Sequence, residues 1–255
     1  MKTPQFTLHA QMEERHWWFQ GRRKIVRELV RCLLPPNKEK TVLDIGCGTG
    51  GNIAAFANDY RCTGIDPSPD AIHLAQERFP QARFVQSAIP DGIGPLISTA
   101  DLILLMDVLE HIPDDSLFLS ELVAQIKPGS YLLITVPADM TLWSQHDVSF
   151  GHHRRYDPDQ LQRLWSHLPV KTLLLSYYNA RLHPLIRMVR IFNQRRGRVS
   201  GEAGTDFKRP SQPVNHLLKT IFASERRPLV ELLKGKRSQG FRRGVSLIAL
   251  LRREN

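Results

Sequence analysis

Asp44-Ile45-Gly46-Cys47-Gly48-Thr49-Gly50-Gly51 follows on from an apolar run beginning at Thr41 and leads into a helical pattern. A strand that ends in three alternating glycines before a helix is built to bring bare backbone against a ligand. Without a Cβ the chain can turn tightly, and the N–H groups opening the next helix can face a polar or anionic group.

Working outward from this loop, apolar strands are expected at Thr41–Ile45, Cys62–Ile65, Arg83–Gln86, Leu102–Met106 and Tyr131–Val136. Helical patterns separate them at Asn52–Asn58, Asp70–Phe79 and Ser116–Gln125. Short apolar runs alternating with helices indicate a parallel, doubly wound α/β sheet, in which ligands bind outside the carboxyl ends of the strands. Later strands are expected at Val170–Tyr178 and Val245–Leu251, with a helix at Pro158–His167 between the fifth strand and the sixth.

The chemistry-bearing residues fall at those strand ends. Asp66 closes the second strand about 20 positions after the glycines, where a carboxylate can accept hydrogen bonds from both hydroxyls of a ribose. Ser87 follows the third strand, where it could meet the edge of a base. The fourth strand gives way at Met106 to Asp107-Val-Leu-Glu-His111, putting titratable groups at the expected site. His111 is a candidate general base, Asp107 a candidate substrate or metal contact, and Glu110 and Asp115 read as solvated helix-end residues. After the fifth strand, Trp143-Ser-Gln-His-Asp147 and Gly151-His-His-Arg-Arg-Tyr156 crowd imidazoles and cations into one loop. Long loops of that chemistry tend to be functional. Arg154 or Arg155 would bind an acidic substrate group, with His152 or Tyr156 near the reacting atom. Two adjacent histidines are not metal spacing, and no metal is expected.

The chain has 255 residues, 42% hydrophobic and 24% charged, which suits one α/β domain with an insertion. No signal-peptide core and no membrane-length apolar run occurs, which reads as a cytoplasmic protein. The cysteines Cys32, Cys47 and Cys62 are odd in number and lack CxxC spacing, so neither a disulfide framework nor a zinc site is indicated. Between Arg181 and Gly240 lie 14 Lys and Arg against 4 Asp and Glu, an excess equal to the whole chain's +10. This segment combines an apolar helical stripe at Leu182, Leu185, Ile186, Val189 and Phe192 with a glycine-rich stretch from Gln194 to Gly204 and a helical stretch from Val214 to Ser224. It reads as a helical lid whose basic face suits an acidic membrane surface or an anionic substrate; it carries no nucleic-acid readout motif.

At the other end, residues 13–34 read as one helix. Its start, Glu13-Glu-Arg-His-Trp-Trp-Phe-Gln-Gly-Arg-Arg23, alternates aromatic rings with cations. It serves either as a cap on the core or as a lid in which Trp18 and Arg22 meet a ligand. The divisions are then a helical lid over 1–38, a cofactor-binding core over 39–180, the basic insertion over 181–243 and a final strand over 244–255.

The glycines admit two readings, since Gly46-x-Gly48-x-Gly50 fits an S-adenosylmethionine loop and Gly46-x-Gly48-x-x-Gly51 a dinucleotide loop. Asp44 favours the first, because an acidic residue there suits an ammonium and opposes a pyrophosphate. With Asp66 and Asp107-Val-Leu-Glu-His111 in the same order, residues 40–137 resemble a class I S-adenosylmethionine-dependent methyltransferase; a nicotinamide oxidoreductase and a non-catalytic binding module are the alternatives. The resemblance implies a Rossmann-like seven-stranded sheet whose last strand is antiparallel and inserted beside its predecessor. It implies that Gly46, Gly48 and Gly50 approach the methionyl part of the cofactor, that Asp44 meets its amino group and Asp66 its ribose, and that Met106 belongs with these contacts. Ser87 departs from the family, which commonly carries Asp there. The N-terminal and 143–156 motifs resemble, more loosely, a bacterial subgroup that modifies small molecules or saccharides. The implied reaction is methylation of a small molecule, at an oxygen of an anionic, saccharide or lipid-linked acceptor, with His111 and His152 as bases.

Overall fold

The computed structural model describes residues 3–88, 93–195 and 210–255. The chain opens with α1 (Thr3–Arg15) and α2 (Trp17–Leu33), followed by β1 (Thr41–Ile45), α3 (Gly51–Ala54), β2 (Arg61–Asp66), α4 (Pro69–Arg78) and β3 (Arg83–Gln86). Next come α5 (Gly94–Thr99), β4 (Leu102–Met106), α6 (Asp115–Gln125) and β5 (Tyr131–Pro137). The chain ends with α7 (Gln145–Phe150), α8 (Pro158–Arg163), β6 (Val170–Tyr178), α9 (His183–Arg195), α10 (Gln212–Ala223), α11 (Arg226–Leu233) and β7 (Ser246–Arg253). The strands form one sheet in the order β3-β2-β1-β4-β5-β7-β6. The first five are parallel, and β7 runs antiparallel between β5 and β6. This agrees with the fold expected from the sequence.

Parallel strands covered on both faces must be apolar throughout, and Leu102–Met106 is buried at every position. One face carries a core containing Ile53, Phe56, Tyr60 and Phe84 under α2. The other carries Ile97, Leu119, Leu122 and Trp165.

Three expectations need correcting. Residues 13–34 are not one helix: the chain breaks at His16, whose extended backbone (φ −76°, ψ 137°) and ring nitrogen cap α2 by accepting from Trp18 N–H. Asn215 fastens the break, its Oδ1 accepting from Trp17 N–H at 2.9 Å and its Nδ2 donating to the Arg15 carbonyl at 2.9 Å. Secondly, the helix expected over Asn52–Asn58 is the short α3, whereas α1, α5, α7 and α11 were not foreseen. Lastly, the basic segment, expected as a helical lid packed on the sheet, has α10 lying on α2. α10 packs on α2 closely enough that a Cβ on Gly21 would lie 2.5 Å from the Phe222 ring, and Phe222 is fully buried. The glycine-rich stretch expected over Gln194–Gly204 lies outside the residues whose side chains are described.

Among the described residues no helix is long and apolar enough to cross a membrane.

Candidate active site

Six strands place residues at one edge of the sheet, and a cavity of about 1030 Å³ opens there. Its floor includes Gly46 and Gly48 after β1, Asp66 at the end of β2, Met106 and Asp107 at the end of β4, and Pro137 at the end of β5. Asn179 follows β6, and Ser246 opens β7.

The glycine loop is held in left-handed backbone, with φ of +73°, +53° and +84° at Gly46, Gly48 and Gly50. A Cβ on Gly46 would strike Val108 at 2.5 Å, and one on Gly50 would strike Phe84 at 2.8 Å. At Gly48 it would meet no protein atom within 4 Å. Two of the glycines are therefore required by packing, and the third leaves open space on the cavity side. Asp66 fixes the loop by accepting from the N–H groups of Gly48 and Ser68, each at 2.9 Å. Burial raises its carboxyl above the ordinary range despite those two bonds.

Asp44, the last acidic group before the loop, is buried and neither oxygen has a hydrogen-bond partner among the described residues. Burial pushes its carboxyl up to about 8. A buried carboxylate without a partner is costly; Asp44 stands two residues before Gly46 and does not itself line the cavity, so a ligand cation would have to approach it past the glycine loop.

The lid contributes more than rings. Glu13 on α1 is 1% exposed, accepts from the Thr49 hydroxyl at 2.6 Å and from Arg78 Nη1 at 2.9 Å, and lies where a Cβ on Gly51 would fall. It clasps α1 onto the glycine loop. Spacing alone gave no sign of this, because its partners are 36 and 65 residues away. Trp18 and Arg22 both face the cavity, with the Arg22 guanidinium 4.1 Å from the Trp18 ring centroid. Arg22 is committed to Asp107 by an ion pair and to Asn52 Oδ1 at 3.2 Å. Asp107, at φ +57°, in turn accepts from the Thr135 hydroxyl at 3.1 Å. That chain of bonds ties α2 to the β4 and β5 ends.

The loop after β5 divides its residues differently from the sequence-based expectation. Asp147 is fully buried and receives Arg155 Nε and Nη2 at 2.9 and 3.0 Å and His152 Nδ1 at 2.9 Å. Burial alone would raise its carboxyl, and those partners overcome this and hold it low. Arg155 also donates to the Ala138 carbonyl, so its charge is spent inside the loop although it borders the cavity. Arg154 pairs with Asp115 at 2.6 Å, and Tyr156 donates to the same carboxylate at 2.6 Å. Neither lines the main cavity; both border a separate, shallower depression. Arg154, Arg155 and Tyr156, expected on the substrate, are thus engaged in bracing the loop. Asp115 braces Arg154 and Tyr156 instead of capping a helix, and the cap of α6 is Asp114, which accepts from Leu117 N–H.

What the loop does bring to the cavity is His152 and His146 beside His111. The His111 and His152 rings stand 4.7 Å apart at 81°, and His146 is 6.2 Å from His152. Burial and the neighbouring His152 lower His111 to about 4, and burial lowers His146 to about 3, so both are neutral imidazoles near pH 7. Glu110 shares this corner, is fully buried rather than solvated, and is held well above the usual carboxylate range by burial and by Asp107. Ser87 lies outside the residues that line the cavity, and its hydroxyl donates to the Ala88 carbonyl.

A family model described as a methyltransferase domain matches residues 17–180, more than half of the chain. Among curated proteins, the 2-methyl-6-phytyl-1,4-hydroquinone methyltransferase of Synechocystis sp. is 33% identical over 141 residues, covering 52% of this chain and 42% of its own length. The trans-aconitate 2-methyltransferase of Rhodopseudomonas palustris is 26% identical over 166 residues, covering 63% of this chain and 62% of its own. The chain thus matches less than two thirds of the length of each. Among solved structures, the plantazolicin methyltransferase BpumL in complex with SAH shares the fold at a TM-score of 0.59, with 14% identity over 99% of this chain and 90% of that one.

Proposed function

Because the chain belongs to the methyltransferase-domain family, we propose that it transfers a methyl group from S-adenosylmethionine to an oxygen of a small acceptor with an apolar, lipid-linked body. The residues present fit that cofactor. Asp44 would meet its ammonium, Asp66 its ribose hydroxyls and Gly46 its methionyl chain, while the open side of Gly48 admits its close approach. When bound, it supplies a methyl group on a positively charged sulfur. The chain's own residues hold the acceptor in line and exclude water, which is worth up to about 7–11 kcal/mol in such displacements. A hydroxyl acceptor must also lose a proton, and His111, kept neutral by burial, stands beside His152 where both border the cavity.

One observation carries the choice of acceptor. The cavity wall built from Leu182, Leu185, Ile186 and Val189 beside Trp17 and Phe150 is apolar, while two of its arginines, Arg22 and Arg155, are paired with carboxylates. Arg190 donates to the Leu142 carbonyl, Arg155 is held by Asp147, and Arg22 by Asp107. A hydroquinone with a hydrocarbon tail, the acceptor class named for the Synechocystis relative, suits such walls better than the tricarboxylate named for the trans-aconitate relative. Outward from the cavity, Leu185, Met188, Val189 and Phe192 of α9 stay 45–61% exposed, giving the tail an apolar path outward.

Incubation with methyl-labelled S-adenosylmethionine and fractionated cell extract tests this reading. Label is expected in the organic phase, in a product whose methyl group is lost on ether cleavage. Label confined to aqueous carboxylic acids would refute the acceptor class, and the absence of any melting-temperature shift with S-adenosylhomocysteine would refute the cofactor.

A further inference from the structure

We propose that Glu110, His111 and His152 form a binding site for a first-row divalent transition ion of the zinc class at the inner end of the cavity. One carboxylate oxygen and one ring nitrogen from each histidine all lie within 4.8 Å of one another.

Among the described residues, neither oxygen of the fully buried Glu110 has a hydrogen-bond partner. Each imidazole has an acceptor for one of its N–H groups, Asp147 at 2.9 Å for His152 Nδ1 and the Gly151 carbonyl for His111. A ring whose single proton sits on that nitrogen offers the other as a lone pair to a metal. Arg155, whose charge acts on Glu110, has its guanidinium bonds directed to Asp147 and the Ala138 carbonyl instead. A buried carboxyl and two half-buried imidazoles converging on one point can exchange their protons for a shared cation.

The donor set selects the ion. Two imidazoles and a carboxylate suit zinc, iron, manganese or cobalt, and leave magnesium and calcium, which prefer all-oxygen shells, poorly served. Ligands about 2.1 Å from a tetrahedral ion stand about 3.4 Å apart, so the three atoms need close by at most about 1.4 Å. The outer shell is already built: a carboxylate and a backbone carbonyl orient the two rings, the arrangement that fixes tautomer in metal sites. Protein atoms supply three ligands, which leaves a coordination position towards the cavity. A hydroxyl held there would lose its proton to water more readily, with His111 and His152 serving as ligands in place of bases. The O–CH3 bond would then form as the C–S bond of the sulfonium breaks, its electron pair remaining on sulfur. Binding of the ion does not depend on that reaction; its role in catalysis rests on the proposed O-methyl transfer.

Chelator-stripped protein titrated with Zn2+ by calorimetry, and with Co2+ by visible absorption, tests the site. One equivalent is expected to bind with a dissociation constant below about 10 µM, with Co2+ giving d–d bands of a four- or five-coordinate nitrogen and oxygen site. His111→Ala and His152→Ala should each weaken it more than about 100-fold, beyond the 10- to 100-fold typical of outer-shell losses. Glu110→Gln should weaken it at least tenfold, and His153→Ala, on an exposed neighbour, should leave it unchanged. S-adenosylhomocysteine melting shifts in every variant report whether the fold and cofactor site persist, so loss of metal and loss of cofactor are separately visible. Should a variant not fold, Zn2+ added to the wild-type protein must shift the imidazole resonances of His111 and His152 ahead of the chain's other histidines. No stoichiometric binding, or binding that survives both histidine substitutions, would overturn the proposal.

Discussion

Gly48→Ala and Gly129→Ala form a matched pair that isolates the ligand's position. Both glycines have left-handed backbone, φ +53° and +85°, and a Cβ at either would meet no protein atom within 4 Å. Gly48 faces the cavity, whereas Gly129 turns the chain into β5 at the opposite edge of the sheet, its N–H donating to the Arg253 carbonyl. Forcing alanine into this conformation costs about 1–2 kcal/mol, partly offset by about 0.4–1 kcal/mol from a less flexible unfolded chain. The net loss is about 1 kcal/mol for each, or about 2–4 °C in melting temperature for a chain of this size. Binding should separate them. A methyl group pushed into the contact shell of a packed ligand costs about 1–3 kcal/mol, which weakens S-adenosylhomocysteine about 5- to 150-fold. Calorimetric titration of the three proteins should show that loss for Gly48→Ala and wild-type affinity for Gly129→Ala. Equal affinities for the two variants would refute the placement of the ligand over Gly48.

Three further outcomes follow from the charges. In the ligand-free protein Asp44 holds its proton up to about pH 8, so binding a cationic ammonium expels it. Affinity for S-adenosylhomocysteine should therefore rise with pH by up to about tenfold per unit between about 6 and 8, and Asp44→Asn should remove the slope; a pH-independent affinity in the wild type would disprove the pairing. Arg22→Met strands Asp107, which is partly exposed, and should cost about 3 kcal/mol in a denaturant titration, with Asp107→Asn restoring part of it; a loss below 1 kcal/mol would show the pair to be ornamental. Asp101 is lowered to about 2, with burial outweighed by Thr41 N–H, Lys127 and Lys40. It should stabilise the fold by about 2 kcal/mol above pH 4 and lose that contribution as the pH falls from about 4 to about 2. Asp101→Asn should remove the difference at neutral pH, and an unchanged acid unfolding curve would count against it.

The sheet and the glycine loop were readable because their signals are local. Runs of four to nine residues separated by helical spacing define β1 to β6, and the left-handed backbone directly after β1 falls on glycines. The division of labour among the arginines was not readable. Arg155 differs from a substrate-binding arginine only through Asp147, which α7 turns inwards, and Arg22 is neutralised by a carboxylate 85 residues away. Glu110 looked like a solvated helix end because acidic residues beside Pro113-Asp-Asp115 commonly are; its burial comes from the 143–156 loop folding over it, where His153 N–H reaches the Glu110 carbonyl. A run of charges in sequence says how many partners are needed, and tertiary structure alone says which are already taken.

The position of β7 bears on how the protein is made. Residues 246–253 slot between β5, complete at Pro137, and β6, complete at Tyr178. A ribosome adding about 5–20 residues per second needs about 3–14 s to pass from Tyr178 to Ser246. Throughout that interval both strands exist with unpaired backbone along the edges that will later receive β7, and such edges invite pairing with other nascent chains. Codon usage or chaperone supply across residues 179–245 should therefore govern the yield of soluble protein more strongly than the same change placed within β1 to β4.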